Sequence, residues 1–210
     1  MSTGTGQLHR DDDPKMNISL LLKLLAPYLA VGLFWCVLSN GWLAILAYHA
    51  QILLWSRRNP IKWHGPTQRR MLLLAAPTLV AGPVLYFLLP HITAMELSEW
   101  MRAYGLTGIA LVIMIPYFGL LHPIIEQIHW SPLRDQTPLA HVCFAGYHVL
   151  VLSSLLTPVW TVLCFVLLVA ASVLWQYLQK QTRSLWVPIA SHVLADLSMI
   201  LVAAWLCLQG

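Results

Sequence analysis

Three short stretches of this 210-residue chain place ionisable side chains inside otherwise apolar runs. One runs from His122 through Glu126 and Gln127 to His129 and Trp130, one from Phe144 to His148, and one from Ser191 and His192 to Asp196. At about 100° per residue on a helix, His192 and Asp196 share a face, and so do His122, Glu126 and His129. A carboxylate beside a neutral imidazole can orient and deprotonate water. A second imidazole with a hydrogen-bonding partner can donate to the oxyanion formed when that water attacks an amide. Side chains of these types, converging on one cavity, are suited to hydrolysing a peptide bond.

The surroundings of these residues define the elements that must carry them. Hydrophobic residues make up 59% of the chain and charged residues 10%, against roughly 45–50% and about 25% in soluble domains, which excludes a soluble globular fold. The net charge is +4, but the basic residues sit between apolar runs and form no stripe, so nucleic acid is not an expected partner. Windows of about 20 apolar residues fall at about 17–38, 41–56, 71–90, 106–129, 138–156, 158–178 and 185–208, the second being the weakest. The expected architecture is all-α: a polytopic transmembrane bundle of about seven spans, with a polar tail over 1–15 and a single membrane domain over 16–210. The tail lacks the pattern of a cleavable signal peptide, so the first run is expected to stay as a span.

Orientation follows from the basic residues. Arg10 and Lys15, then Arg57, Arg58, Lys62, Arg69 and Arg70, then Arg134, then Lys180 and Arg183 occupy alternate connections, while the opposite set holds only Arg102. Short loops rich in Lys and Arg stay in the cytoplasm, which places the N-terminus there, in a multi-pass protein of the cell membrane. With 131–137 and 179–184 taken as cytoplasmic loops, Glu126, His148 and His192 all lie in the cytoplasmic half of the bilayer. Of the 8 acidic residues, Asp11, Asp12, Asp13, Glu96, Glu99 and Asp135 lie in the tail or in loops. Only Glu126 and Asp196 sit inside spans, where a carboxylate costs on the order of 2.5–3.5 kcal/mol on insertion scales.

The three stretches resemble the motifs of the CPBP family, the CaaX-protease and bacteriocin-processing intramembrane glutamic endopeptidases that include the type II CaaX prenyl proteases. The family pattern is EExxxR, FxxxH and Hxxx(N/D) on successive helices. Phe144 with His148 matches the second motif and His192 with Asp196 the third, while Glu126 matches the first glutamate of the first. Gln127 replaces the second glutamate and Ser131 the arginine, with Arg134 three residues further on as a possible substitute. The resemblance covers about 105–205. It implies that Glu126 and His148 activate water and that His192 and Asp196 stabilise the oxyanion, with no cofactor and no metal. The implied substrate is a membrane-associated peptide or protein, cut near the cytoplasmic interface.

Other readings of the same residues are a non-catalytic relative, acting as a scaffold or immunity protein that binds a membrane peptide, and a small proton-coupled carrier. Glu126 and Asp196 would also serve as an interhelical polar clasp, and His122, Glu126 and His129 could supply ligands to Zn²⁺. His49 and His141 gain no assignment. Trp63, Trp130 and Trp186 are read as interfacial anchors, and Cys36, Cys143, Cys164 and Cys207, each in a separate apolar run, as small apolar fillers.

Overall fold

The computed structural model describes residues 18–56 and 73–209, and the polar tail and the basic segment 57–72, Trp63 included, lie outside the described residues. The described chain is helical throughout: α1 Ile18–Val37, α2 Gly41–Ser56, α3 Leu73–Ile92, α4 Leu97–Ala103, α5 Gly108–Gln136, α6 Leu139–Leu152, α7 Pro158–Thr182 and α8 Trp186–Gln209. Five of these, α1, α3, α5, α7 and α8, are long and apolar enough to cross a membrane.

Helices α2, with 16 residues, and α6, with 14, fall short of the roughly 20 residues that a bilayer asks of a span. Both are packed into the bundle. The buried face of α2 reads Gly41, Ala44, Tyr48, Ile52 and Ser56, the spacing of a single helical stripe. Asn40 starts α2 by accepting from the Leu43 amide at 2.9 Å. On α6, Ala140, Phe144, Ala145 and Tyr147 are buried. The two shortest apolar helices thus carry two of the pairs that meet at the centre, Tyr48–His49 and Tyr147–His148.

The structure corrects three boundaries. Residues 131–136, expected as a loop, continue α5 to Gln136, so Glu126 lies ten residues before the helix end, about 15 Å in, rather than about five residues in. Pro132 does not stop this helix. α7 likewise runs on to Thr182 and closes on Arg183 in the left-handed conformation. The connection after α3 contains α4, whose Trp100 packs against Trp35 with ring centroids 5.2 Å apart and donates to Ser154 at 2.9 Å.

Helix α5 changes register where the site begins. Pro116 offers no amide hydrogen, and the turn Tyr117–Leu121 that follows is a π turn before α-helix resumes at His122. That turn resets which residues face inward, and His122, Glu126, Gln127, His129, Trp130 and Arg134 are all buried. Helix α8 is the most enclosed of the long helices and α7 the most peripheral, exposing Val159, Val162, Val166 and Leu167. Large aliphatic side chains cover the outside of the bundle and the buried set is unusually polar, the arrangement expected when lipid is the surrounding solvent.

Close backbone approach seats α8. Gly82 of α3 donates its amide to Ser198 Oγ at 3.0 Å, and a Cβ at Gly82 would run into the Ser198 carbonyl. Gly119 of the π turn lies against Leu197, whose Cα would be 3.1 Å from an added Cβ. Small residues at such crossings let transmembrane helices touch backbone to backbone. Replacing Gly82 by Ala should therefore destabilise the bundle by about 1–3 kcal/mol through overpacking. Thermal unfolding in detergent reads this, with Gly32→Ala, which meets nothing within 4 Å, as the control that stays at or above wild type. Equal melting of Gly82→Ala and wild type would show that the contact is soft.

Candidate functional site

Glu126 is completely buried and is the point on which α2, α5, α6 and α8 converge. Its Oε1 accepts hydrogen bonds from the hydroxyls of Tyr48 on α2 and Tyr147 on α6. Its Oε2 faces two imidazoles, with His122 Nε2 at 3.4 Å and His192 Nε2 at 3.7 Å, and accepts no hydrogen bond. His192 Nε2 also lies 3.3 Å from Asp196 Oδ2, a second buried oxygen that accepts no hydrogen bond. The i,i+4 pairings His122–Glu126 and His192–Asp196 that the spacing predicts are both present.

Three of the four proposed catalytic side chains, Glu126, His192 and Asp196, thus sit together. The fourth, His148, reaches Glu126 indirectly. Its Nε2 lies 3.1 Å from the Tyr147 hydroxyl, which in turn bonds to Glu126. His148 Nδ1 lies 2.8 Å from the Phe144 carbonyl. A carbonyl can only accept, so Nδ1 carries a proton, and Nε2 of the neutral ring is the acceptor facing Tyr147. Phe144, the aromatic residue of the FxxxH pattern, packs on the His148 ring with centroids 4.8 Å apart and is itself fully buried. Glu126, His192 and Asp196 are enclosed, whereas His148 is only partly buried.

The structure also gives the surroundings of Gln127 and Ser131, the positions at which the first stretch differs from EExxxR, and of Arg134. Ser131 donates to Gln179 Oε1 at 2.7 Å and lies outside the cluster. Arg134, nearly two turns after Gln127, folds back along α5 and donates through Nη1 to Gln127 Oε1 at 2.9 Å. The guanidinium is buried between the rings of Phe144 and Trp175, 5.4 and 5.7 Å from their centroids. Gln127 Nε2 lies 3.2 Å from His192 Nδ1. Trp175 stacks on His192 with centroids 4.3 Å apart and donates to Ser191 at 3.1 Å.

Several participants carry no signal in the three motifs. Tyr48 and Tyr147 were readable only as tyrosines in the middle of apolar runs, where a buried hydroxyl needs a partner. His49 bonds to His122 Nδ1 at 2.9 Å and to the Tyr117 hydroxyl at 2.8 Å, extending the polar cluster across α2 and α5. Trp130 is not an interfacial anchor: it is fully buried and donates to the Tyr48 hydroxyl at 2.9 Å. His129 does not join His122 and Glu126 as a ligand set. Its ring nitrogens lie 3.2 Å from Ser56 Oγ and 3.3 Å from the Lys23 carbonyl. Among the described residues no three His, Cys, Asp or Glu side chains are arranged to hold a metal ion.

The fold and site together define a class: an all-α bundle of apolar helices built around a buried carboxylate–imidazole cluster. Comparison of the chain with protein-family models, with curated proteins and with solved structures finds no match.

Tyr48 links two buried groups, since its hydroxyl supplies Glu126 with a donor and Trp130 with an acceptor. Tyr48→Phe should cost about 1.5–3 kcal/mol, the range for a hydrogen bond to a charged group. Thermal unfolding of the two proteins side by side measures it, with Tyr86→Phe, 45% exposed, as the silent control. A melting temperature unaffected by Tyr48→Phe would mean that Glu126 does not depend on this donor.

Proposed function

We propose that this protein is an intramembrane endopeptidase of the CPBP type, which hydrolyses a peptide bond of a membrane-associated peptide or protein near the cytoplasmic face of the cell membrane. The observation that carries the reading is the pair of buried carboxylate oxygens that accept no hydrogen bond, Glu126 Oε2 and Asp196 Oδ2, with His192 Nε2 between them at 3.7 and 3.3 Å. A buried acceptor with no donor costs on the order of 1–3 kcal/mol, more when it is charged, so such atoms are kept where a reacting molecule supplies the donor. The chain crosses the membrane seven times in this reading, with α2 and α6 as the short inner spans and the N-terminus in the cytoplasm.

The roles follow from the atoms. Glu126 accepts a proton from a water molecule as the water oxygen attacks the scissile carbonyl carbon. Negative charge then develops on the carbonyl oxygen, where the Nε2–H of His192, which rests between Asp196 Oδ2 and Glu126 Oε2, turns to stabilise it. The proton moves from Glu126 to the amide nitrogen as the C–N bond breaks, which releases an acid and an amine and restores the carboxylate. The Tyr147 hydroxyl has a single proton and two acceptors, Glu126 Oε1 and neutral His148 Nε2, so it can pass a proton between them. His148 is the least enclosed of the four and marks the side from which substrate enters.

Reconstitution in lipid vesicles with a library of membrane peptides tests this. Glu126→Gln and His148→Ala are each expected to lower cleavage by about 10²–10⁴-fold, the usual contribution of general acid–base catalysis. His192→Ala is expected to lower it by about 10²–10³-fold, as for loss of an oxyanion donor. His141→Ala, whose ring bonds to Ser172 away from the cluster, should keep activity, and a chelator should leave wild type unchanged. Identical peptide maps from wild type and all variants would end the protease reading. Peptide capture without cleavage would identify the non-catalytic relative.

A further inference from the structure

The departure of Gln127 from the family's second glutamate has a chemical consequence at His192. Arginine carries only donors, so the Gln127 atom facing Arg134 Nη1 at 2.9 Å is the carbonyl oxygen Oε1. The NH₂ group is then the end facing His192 Nδ1, at 3.2 Å. An NH₂ has no lone pair to offer, so His192 Nδ1 must accept. A neutral imidazole that accepts at Nδ1 carries its proton at Nε2. Nε2 is the nitrogen aimed at Asp196 Oδ2 and Glu126 Oε2, both of which can accept.

We propose that Arg134 and Gln127 act as positioning residues that hold His192 as the Nε2–H tautomer, so that it meets the reacting carbonyl as a hydrogen-bond donor and not as a base. The proposal rests on the endopeptidase reading for its use, though the tautomer is a property of the resting protein. Three features keep the relay rigid. Arg134 is clasped between Phe144 and Trp175, Trp175 stacks on the His192 ring, and Gln127 is fully buried. An amide turned over in this setting would put its NH₂ against the guanidinium, donor against donor in a buried site. The arginine therefore acts on the imidazole at one remove, through the polarity of an amide.

Gln127→Glu restores the family's paired glutamates and gives the opposite result. A carboxylate at 127 only accepts, and it lowers the net charge of the cluster by one while forming an ion pair with Arg134. His192 then turns its proton to Nδ1, and its bare Nε2 faces the oxygens of Glu126 and Asp196. Restoring the motif should thus lower cleavage, by about tenfold or more toward the 10²–10³-fold cost of a lost oxyanion donor. Arg134→Lys keeps a donor for Gln127 Oε1 and should retain more activity than Arg134→Gln, which offers the amide either polarity.

The test is ¹⁵N NMR of the full-length protein labelled at its 9 histidines in detergent micelles, with the His192 signals assigned by their loss in His192→Gln. Wild type is expected to show an unprotonated Nδ1 and a protonated Nε2 at neutral pH, and Gln127→Glu a protonated Nδ1. A protonated Nδ1 in wild type overturns the proposal even where peptides are cleaved. The expected tautomer in a protein that cleaves nothing supports the lock while removing the endopeptidase reading. Faster cleavage by Gln127→Glu than by wild type also overturns it.

Discussion

A carboxylate enclosed in an apolar bundle has to be given donors, and the position of Glu126 determines much of what packs around it. Tyr48 and Tyr147 come from two different helices to bond the same oxygen. Each is held by further contacts: Tyr48 takes the indole N–H of Trp130, and Tyr147 lies against His148. Four helices are thereby tied to one side chain, so the geometry of the cluster and the packing of the bundle are one problem. The usual driving force of folding is weak here, because lipid is as apolar as the helix exteriors. Polar contacts and close backbone approach decide which helices meet.

The charge arrangement around Glu126 is equally constrained. Its immediate partners are hydroxyls and imidazoles, and the buried cation, Arg134, stands behind Gln127 and His192. A guanidinium in direct contact would neutralise the carboxylate as an ion pair and occupy its lone pairs. Set back by an amide and a ring, it offsets the negative charge at longer range and leaves Oε2 open. The aromatic clasp of Phe144 and Trp175 suits the weakly hydrated, planar Arg and would serve a compact ammonium poorly.

The sequence carried the membrane character, the helical class and most of the helix boundaries, because hydropathy over about 20 residues is a local property. Glu126, His192 and Asp196 were legible for the same reason: ionisable groups in apolar runs are rare, and spacing of four puts pairs on one face. Residues 131–136 were misplaced because Pro132, Arg134 and Asp135 look like a loop in one dimension, while Arg134 is buried and donates through Nη1 to a residue seven positions earlier on the same helix. Trp130 reads as an interfacial anchor and the two tyrosines carry no assignment, because an aromatic residue in a span is ordinary until its partner is known.

What the amino-acid order determined alone was therefore which side chains are costly to bury and on which helical face they stand. Only the tertiary structure decided what answers each of them: that two tyrosines and two histidines surround Glu126, that Tyr147 separates it from His148, and that Arg134 acts on His192 through Gln127. Hydrophobicity and helical period are summed along the chain, so they can be read from it. Hydrogen-bond polarity is settled between groups far apart in the chain, 82 residues for Tyr48 and Trp130, and exists only once the helices have met.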